Sequence, residues 1–69
     1  MKRYIVLTED GSCGHMHRNY GCACDCFDKN WWLGIPSTIA TTTENLHPLW
    51  IDKQLGKIGM KRLKAILEA

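Results

Sequence analysis

Six side chains able to ligate a metal ion fall within fourteen residues: Cys13, His15, His17, Cys22, Cys24 and Cys26. They read C-x-H-x-H, a four-residue gap, then C-x-C-x-C, and they use all four cysteines and two of the three histidines of the chain. Thiolate and imidazole are the usual donors to zinc, and sulfur also suits softer ions such as Cu(I). The spacing lacks the C-x₂-C pairs of zinc ribbons and the H-x₃₋₅-H of zinc fingers, so it points to metal chemistry without pointing to a family.

Other uses of these residues compete. Two disulfides would staple a small domain, but the chain opens Met-Lys-Arg-Tyr with no apolar signal-peptide core, which makes the cytoplasm the expected compartment. Three alternating cysteines beside two histidines are poor core material, and thiol exchange normally comes with a larger scaffold and an electropositive site. His15 and Cys24 can be drawn as a nucleophilic pair, yet no oxyanion donor or substrate cleft accompanies them. There is no glycine-rich phosphate loop and no pair of carboxylates in an apolar setting. The expected cofactor is therefore structural zinc, and the expected protein is not an enzyme.

Positioning such ligands requires regular backbone. In a β-strand, residues two apart share a face. Cys13, His15 and His17 would share a face of one strand and Cys22, Cys24 and Cys26 a face of the next, with Arg18-Asn19-Tyr20-Gly21 as the turn. Closing that hairpin symmetrically sets His17 opposite Cys22, His15 opposite Cys24 and Cys13 opposite Cys26, with Cβ atoms about 5 Å apart. A flat strand pair offers a near-square array where zinc wants a tetrahedron, so backbone distortion at Gly14 and Gly21 is also expected. Cys24, central in its triplet, would be among the most damaging residues to lose.

The rest of the chain reads as α+β, with a three- or four-stranded antiparallel meander followed by one broken or two short C-terminal helices. Arg3–Thr8 is a strand whose continuous apolar run, Tyr4 to Leu7, suits a central position, and Glu9-Asp10-Gly11-Ser12 is a turn. Asp28-Lys29-Asn30 is turn material, and Trp31-Trp32-Leu33 is a short apolar run closed by Gly34 and Pro36. Ser37–Thr43 is either a short edge strand or an extended connector. From Asn45 the pattern is helical, with Asn45 or His47 as cap and Pro48 in the first turn. A helix is expected near 48–55, with Trp50, Ile51, Leu55 and Ile58 close to one face, then a break at Gly56–Gly59. A second helix follows near 60–68 with Met60, Leu63, Ile66 and Leu67 as its stripe. Residues 1–69 make one domain: 1–36 β-rich with the Cys/His cluster, 37–44 a connector, 45–69 helical and basic.

Sixty-nine residues bury a modest core and usually need a metal, disulfides or a partner. No apolar run approaches the roughly 20 residues needed to span a bilayer. The net charge is only +2, but Lys53, Lys57, Lys61, Arg62 and Lys64 crowd the tail against Asp52 and Glu68 alone. A solvated helix face accounts for such a stripe, and an acidic partner, nucleic acid included, is the sharper reading. A helix-turn-helix reader would need a third helix and a polar recognition helix, which the tail lacks. The expected function is a protein-binding module, an adaptor or inhibitor docking on a larger machine. Size, and analogy with small inhibitors encoded by viruses and mobile elements, suggest it. In so small a domain Trp31 and Trp32 are both expected in the core, the alternative being that one of them anchors the partner surface, and Trp50 is expected in the core. A zinc-braced nucleic-acid binder using the basic tail and a small metal carrier are the alternatives.

Overall fold

The computed structural model describes residues 2–69. Its centre is β1 (Arg3–Thr8), with β2 (Gly11–Ser12) and β3 (Ser37–Thr42) antiparallel on either side, in the order β2-β1-β3. Ile5, Val6 and Leu7 are fully buried, as their unbroken apolar run requires when both faces of a sheet are covered. One face carries α1 (Tyr20–Trp32); the other carries α2 (Pro48–Ile58) and α3 (Met60–Leu67). Alternation along β1 divides the core accordingly. Ile5 and Leu7 join Ala40, Ile51, Leu55 and Leu63 under the C-terminal helices, whereas Val6 faces the opposite way, towards α1.

The α+β class, the three-stranded antiparallel sheet and the two C-terminal helices agree with the sequence. The path does not follow a meander: the chain leaves β2, forms α1 across one face, and returns as β3 on the far edge. The segment expected to be the second strand of a ligand-bearing hairpin is the helix α1. Asn19, expected in a turn, is its N-cap, with Oδ1 accepting the Cys22 N–H at 2.9 Å. At the other end the Gly34 N–H donates to Trp31 O (3.0 Å) and the Ile35 N–H to Asn30 O (2.9 Å), with Gly34 at φ 74°. That is a Schellman stop, completed by Pro36 just beyond it. Asp28-Lys29-Asn30 and Trp31-Trp32 are thus helical, not turn and strand.

The C-terminal half follows its expected punctuation closely. His47 caps α2 through Nδ1, which accepts the Leu49 N–H at 3.1 Å, and Pro48 opens the helix. Asp52 ties α2 to the sheet, its Oδ1 accepting from the Ser12 N–H (2.7 Å) and the Ser12 hydroxyl (2.6 Å). The helix runs through Gly56 and breaks only at Gly59, where φ 82° and ψ 164° lie in a region that side chains essentially exclude. Trp50, expected in the core, is 42% exposed, because Ile51 and Leu55 take the buried stripe and Trp50 sits about 100° away from Ile51. Ile66 of α3 is likewise exposed, while Leu63 is fully buried.

The two glycines should respond oppositely to alanine. Neither has an atom within 4 Å of where a Cβ would sit. Gly59→Ala should cost about 1–3 kcal/mol of unfolding free energy through backbone strain alone. Gly56→Ala, within α2, should add up to about 1 kcal/mol. Chemical denaturation of the two variants beside the parent chain measures both.

Candidate metal centre

Regular continuation of the β1–β2 ladder, Thr8 opposite Gly11 and Leu7 opposite Ser12, would bring Tyr4 opposite His15. Instead Tyr4 pairs with His17, so two extra residues bulge from the edge of the sheet. The bulge is pinned at both ends. The Cys13 N–H donates to Val6 O at 3.0 Å, and Tyr4 and His17 exchange backbone hydrogen bonds of 3.0 and 2.7 Å. Gly14, at φ 83°, turns the chain between them, and its N–H donates to Ser12 Oγ. The result throws Cys13, His15 and His17 into one corner instead of leaving them in a flat row.

The fourth member comes from α1. Cys13, His15, His17 and Cys26 place one donor atom each within 4.8 Å of all the others, and such a group can hold a metal ion. Cys13 Sγ lies 3.4 Å from His17 Nε2, and Cys26 Sγ 3.6 Å from His15 Nε2. In a tetrahedron with bonds of about 2.0–2.3 Å the donors stand about 3.3–3.8 Å apart, so these two contacts already have the length of tetrahedral edges. The two imidazoles meet edge to face at a centroid separation of 4.2 Å. His15 Nδ1 lies 3.0 Å from Cys13 O, a contact that places the ring proton on Nδ1 and leaves Nε2 free to bind. His17 is buried, Cys13 and Cys26 are half-buried and His15 is exposed, so the centre has an inner wall and an open side.

Cys22 and Cys24 stay outside this group, which the sequence-based hairpin had included. On a helix, residues two apart point about 200° away from each other, so Cys24 and Cys26 cannot converge on one ion as they would on a strand. Cys24 borders a surface depression with Phe27 and β3, and Cys22 is exposed. The residues that do share the inner stripe of α1 are Ala23, Cys26, Phe27 and Asn30, at helical spacing, and that period was present in the sequence beneath the alternating cysteines.

The electrostatics favour the uncharged forms of His17 and Cys26 when no ion is bound. Burial holds His17 below its ordinary pKa, and the neighbouring His15 adds to the effect, while Asp25 opposes it. Burial also pushes the Cys26 thiol up, reinforced by Cys13. His17 is therefore a neutral, ready ligand near neutral pH, whereas a metal must displace the thiol proton of Cys26.

The remaining site candidates are dispersed. Trp31 and Trp32 form the last turn of α1, with their rings edge to face at 5.1 Å. Lys53 and Lys57 are exposed on α2, and Lys61 and Arg62 on α3. Lys64 is half-buried and turns to β3, where Nζ donates to Thr38 Oγ1 at 3.3 Å. Because Gly59 separates the two helices, these cations do not line one continuous rod. Among the described residues no helix is long and apolar enough to cross a membrane. No protein family, curated protein or solved structure matches this chain.

Two outcomes follow from the centre. Cys13→Ser and Cys26→Ser should abolish stoichiometric metal in elemental analysis, whereas Cys22→Ser and Cys24→Ser should retain it. Acidification should act through His17: its folded-state pKa is lowered, so the unfolded chain binds the proton more readily. The metal-free domain should then lose stability as pH falls through about 6.5, the ordinary histidine value, and metal affinity should fall in the same direction. Denaturation midpoints and metal titrations at stepped pH test both, and flat profiles for the parent chain would contradict them.

Proposed function

We propose that this chain is a small non-enzymatic protein-binding module, an adaptor or inhibitor that docks on a larger protein assembly, with its fold braced by zinc. The observation that carries the docking reading is the apolar surface at the end of α1. Trp31 is 64% exposed, Trp32 79% and Leu33 66%, and Ile35 adds a fourth apolar side chain close by. Neither tryptophan serves the core, where aromatic side chains are usually most valuable, and contiguous exposed apolar residues mark interaction surfaces. Zinc is the reading for the metal because two thiolates and two imidazoles at tetrahedral spacing form one of its usual donor sets. An ion there would clamp α1 to the β1–β2 edge, and α1 is the helix that presents the tryptophans.

The test compares folded, zinc-loaded variants against the partner recovered by crosslinking. Trp31→Ala or Trp32→Ala should weaken binding by about 2–4 kcal/mol, seen as faster dissociation. Replacing any single one of Lys53, Lys57, Lys61, Arg62 or Lys64 should alter mainly the association rate and its salt dependence. Binding controlled by the cations, steeply weakened by salt and indifferent to the tryptophans, would instead make this a nucleic-acid-binding module. Rapid exchange of the ion with a weak chelator, the fold remaining intact, would favour a metal carrier.

A further inference from the structure

We propose that the open edge of β3 pairs with β3 of a second copy of this chain, antiparallel and about a two-fold axis at Ile39. Among the described residues β3 has one strand neighbour, β1, so its other side is an edge. The Thr41 N–H is turned to that edge, because it donates to Glu68 Oε1 at 3.2 Å. In an antiparallel strand each residue presents its N–H and C=O to the same side and its neighbours present theirs to the other. Ser37 and Ile39 therefore face outward with Thr41, while Thr38, Ala40 and Thr42 bond to β1. The strand itself, Ser-Thr-Ile-Ala-Thr-Thr, holds none of the charges or prolines with which natural edges discourage pairing. Two side chains hydrogen-bond to it from the C-terminal end of the chain: Glu68, the C-cap of α3, on the Thr41 N–H and Lys64 of α3 on the Thr38 hydroxyl. Tyr20, Phe27 and Asp28 of α1 flank the surface depression along it.

A second copy matches this edge at every level. Pairing about Ile39 sets Ile39 against Ile39 and Ser37 against Thr41 twice over, so outward-facing residues meet only outward-facing residues. Ile39 lies on the α1 side of the sheet, beside Phe27 along the same depression, so the symmetric isoleucines would share an apolar ceiling. The charges also fit. Lys64 stands at Thr38 and Glu68 at Thr41, and the two-fold brings the Thr41 end of one copy to the Ser37–Thr38 end of the other. Each Thr41 N–H passes from Glu68 Oε1 to the Ser37 carbonyl of the second copy, and the freed Glu68 carboxylate moves onto that copy's Lys64. An unrelated strand would meet the main chain without meeting both charges. The inference rests on neither the metal centre nor the tryptophans.

Sedimentation velocity and native mass spectrometry, run from low micromolar to near-millimolar protein, should show a monomer–dimer equilibrium. Ile39→Pro removes an N–H that β1 does not use and should weaken the dimer by about tenfold or more, since the two-fold loses the bond twice. Ile39→Lys puts like charges at the axis and should act similarly should the proline variant not fold. Lys64→Glu should abolish pairing, and adding Glu68→Lys should restore it. A monomer at all concentrations overturns the proposal. So does a dimer unchanged in folded Ile39 variants, one lost only when Trp31 and Trp32 are replaced, or a double charge reversal that fails to rescue.

Discussion

The attachment of α1 to the sheet is the constraint on which the rest of this structure turns. α1 is thirteen residues long, yet Ala23 is its only fully buried side chain, and an alanine contributes little apolar area. By contrast, Ile51, Leu55 and Leu63 hold the C-terminal helices on the opposite face. What α1 has instead is Cys26, reaching across to Cys13, His15 and His17 on a bulge that β1 pins at both ends. Polar donors packed together are a poor substitute for apolar contact when no ion binds them, because the buried His17 and the half-buried cysteines give up water for weak mutual hydrogen bonds. The same loss of water holds the His17 pKa down and pushes the Cys26 thiol up. An ion converts the same four atoms from a cost of burial into a crosslink, which is why metals recur in domains too small to rely on their cores.

How the sequence encodes this depends on which signals are local. Caps and stops are local, and many were legible: Pro48 after His47, a helix break within Gly56–Gly59, the central strand from its apolar run. The segment from Ser37, assigned to a connector with an edge strand as the alternative, is the strand β3, because β1 supplies a partner that no local signal announces. The cysteine triplet was misleading because C-x-C-x-C has the period of a strand, and ligands two apart are useful only on a strand. In fact the period came from three cysteines with three different settings: one exposed, one beside β3 and one at the metal centre. The helix was written in other residues, with Asn19 as cap, Gly34 and Pro36 as stop, and Ala23, Cys26, Phe27 and Asn30 as the inner stripe. Asn and Gly serve both turns and helix ends, so Asn19-Tyr20-Gly21 was equally good as a hairpin turn until the tertiary structure decided it. The donors on the bulge were harder still: no propensity specifies the two-residue slip that brings His17, not His15, opposite Tyr4.

The tryptophans show the same division between local and global information. In a chain of this length the expectation is that large aromatics build the core, yet the buried hydrophobic residues among those described are all aliphatic: Ile5, Val6, Leu7, Ala23, Ala40, Ile51, Leu55 and Leu63. The reason is geometric. Trp31 and Trp32 fall in the last turn of α1, directly before the Gly34–Pro36 reversal, while the chain does not rejoin the sheet until Ser37. Adjacent residues on a helix diverge by about 100°, so even one tryptophan turned inward would leave the other in water. Here both remain outside, stabilised against each other by an edge-to-face contact and by little else.

That placement joins the candidate metal centre to the exposed apolar end of α1. Cys26 and the tryptophan pair lie on one helix, five and six residues apart, so whatever fixes Cys26 also fixes where the rings point. Rigidity at an anchor matters because ordering a large side chain and its backbone at the moment of binding consumes part of the interaction energy. A helix of this length is marginal when detached from its domain. With α1 tied by an ion at the bulge on one side and stopped by the Schellman turn on the other, the exposed apolar residues would be held in place. Without the clamp the same residues would belong to a frayed helix over a small sheet, still hydrophobic but no longer a defined shape. An ion at the bulge would supply order where the core is thin, and the exposed apolar end of α1 is the part of the helix with most to gain from it.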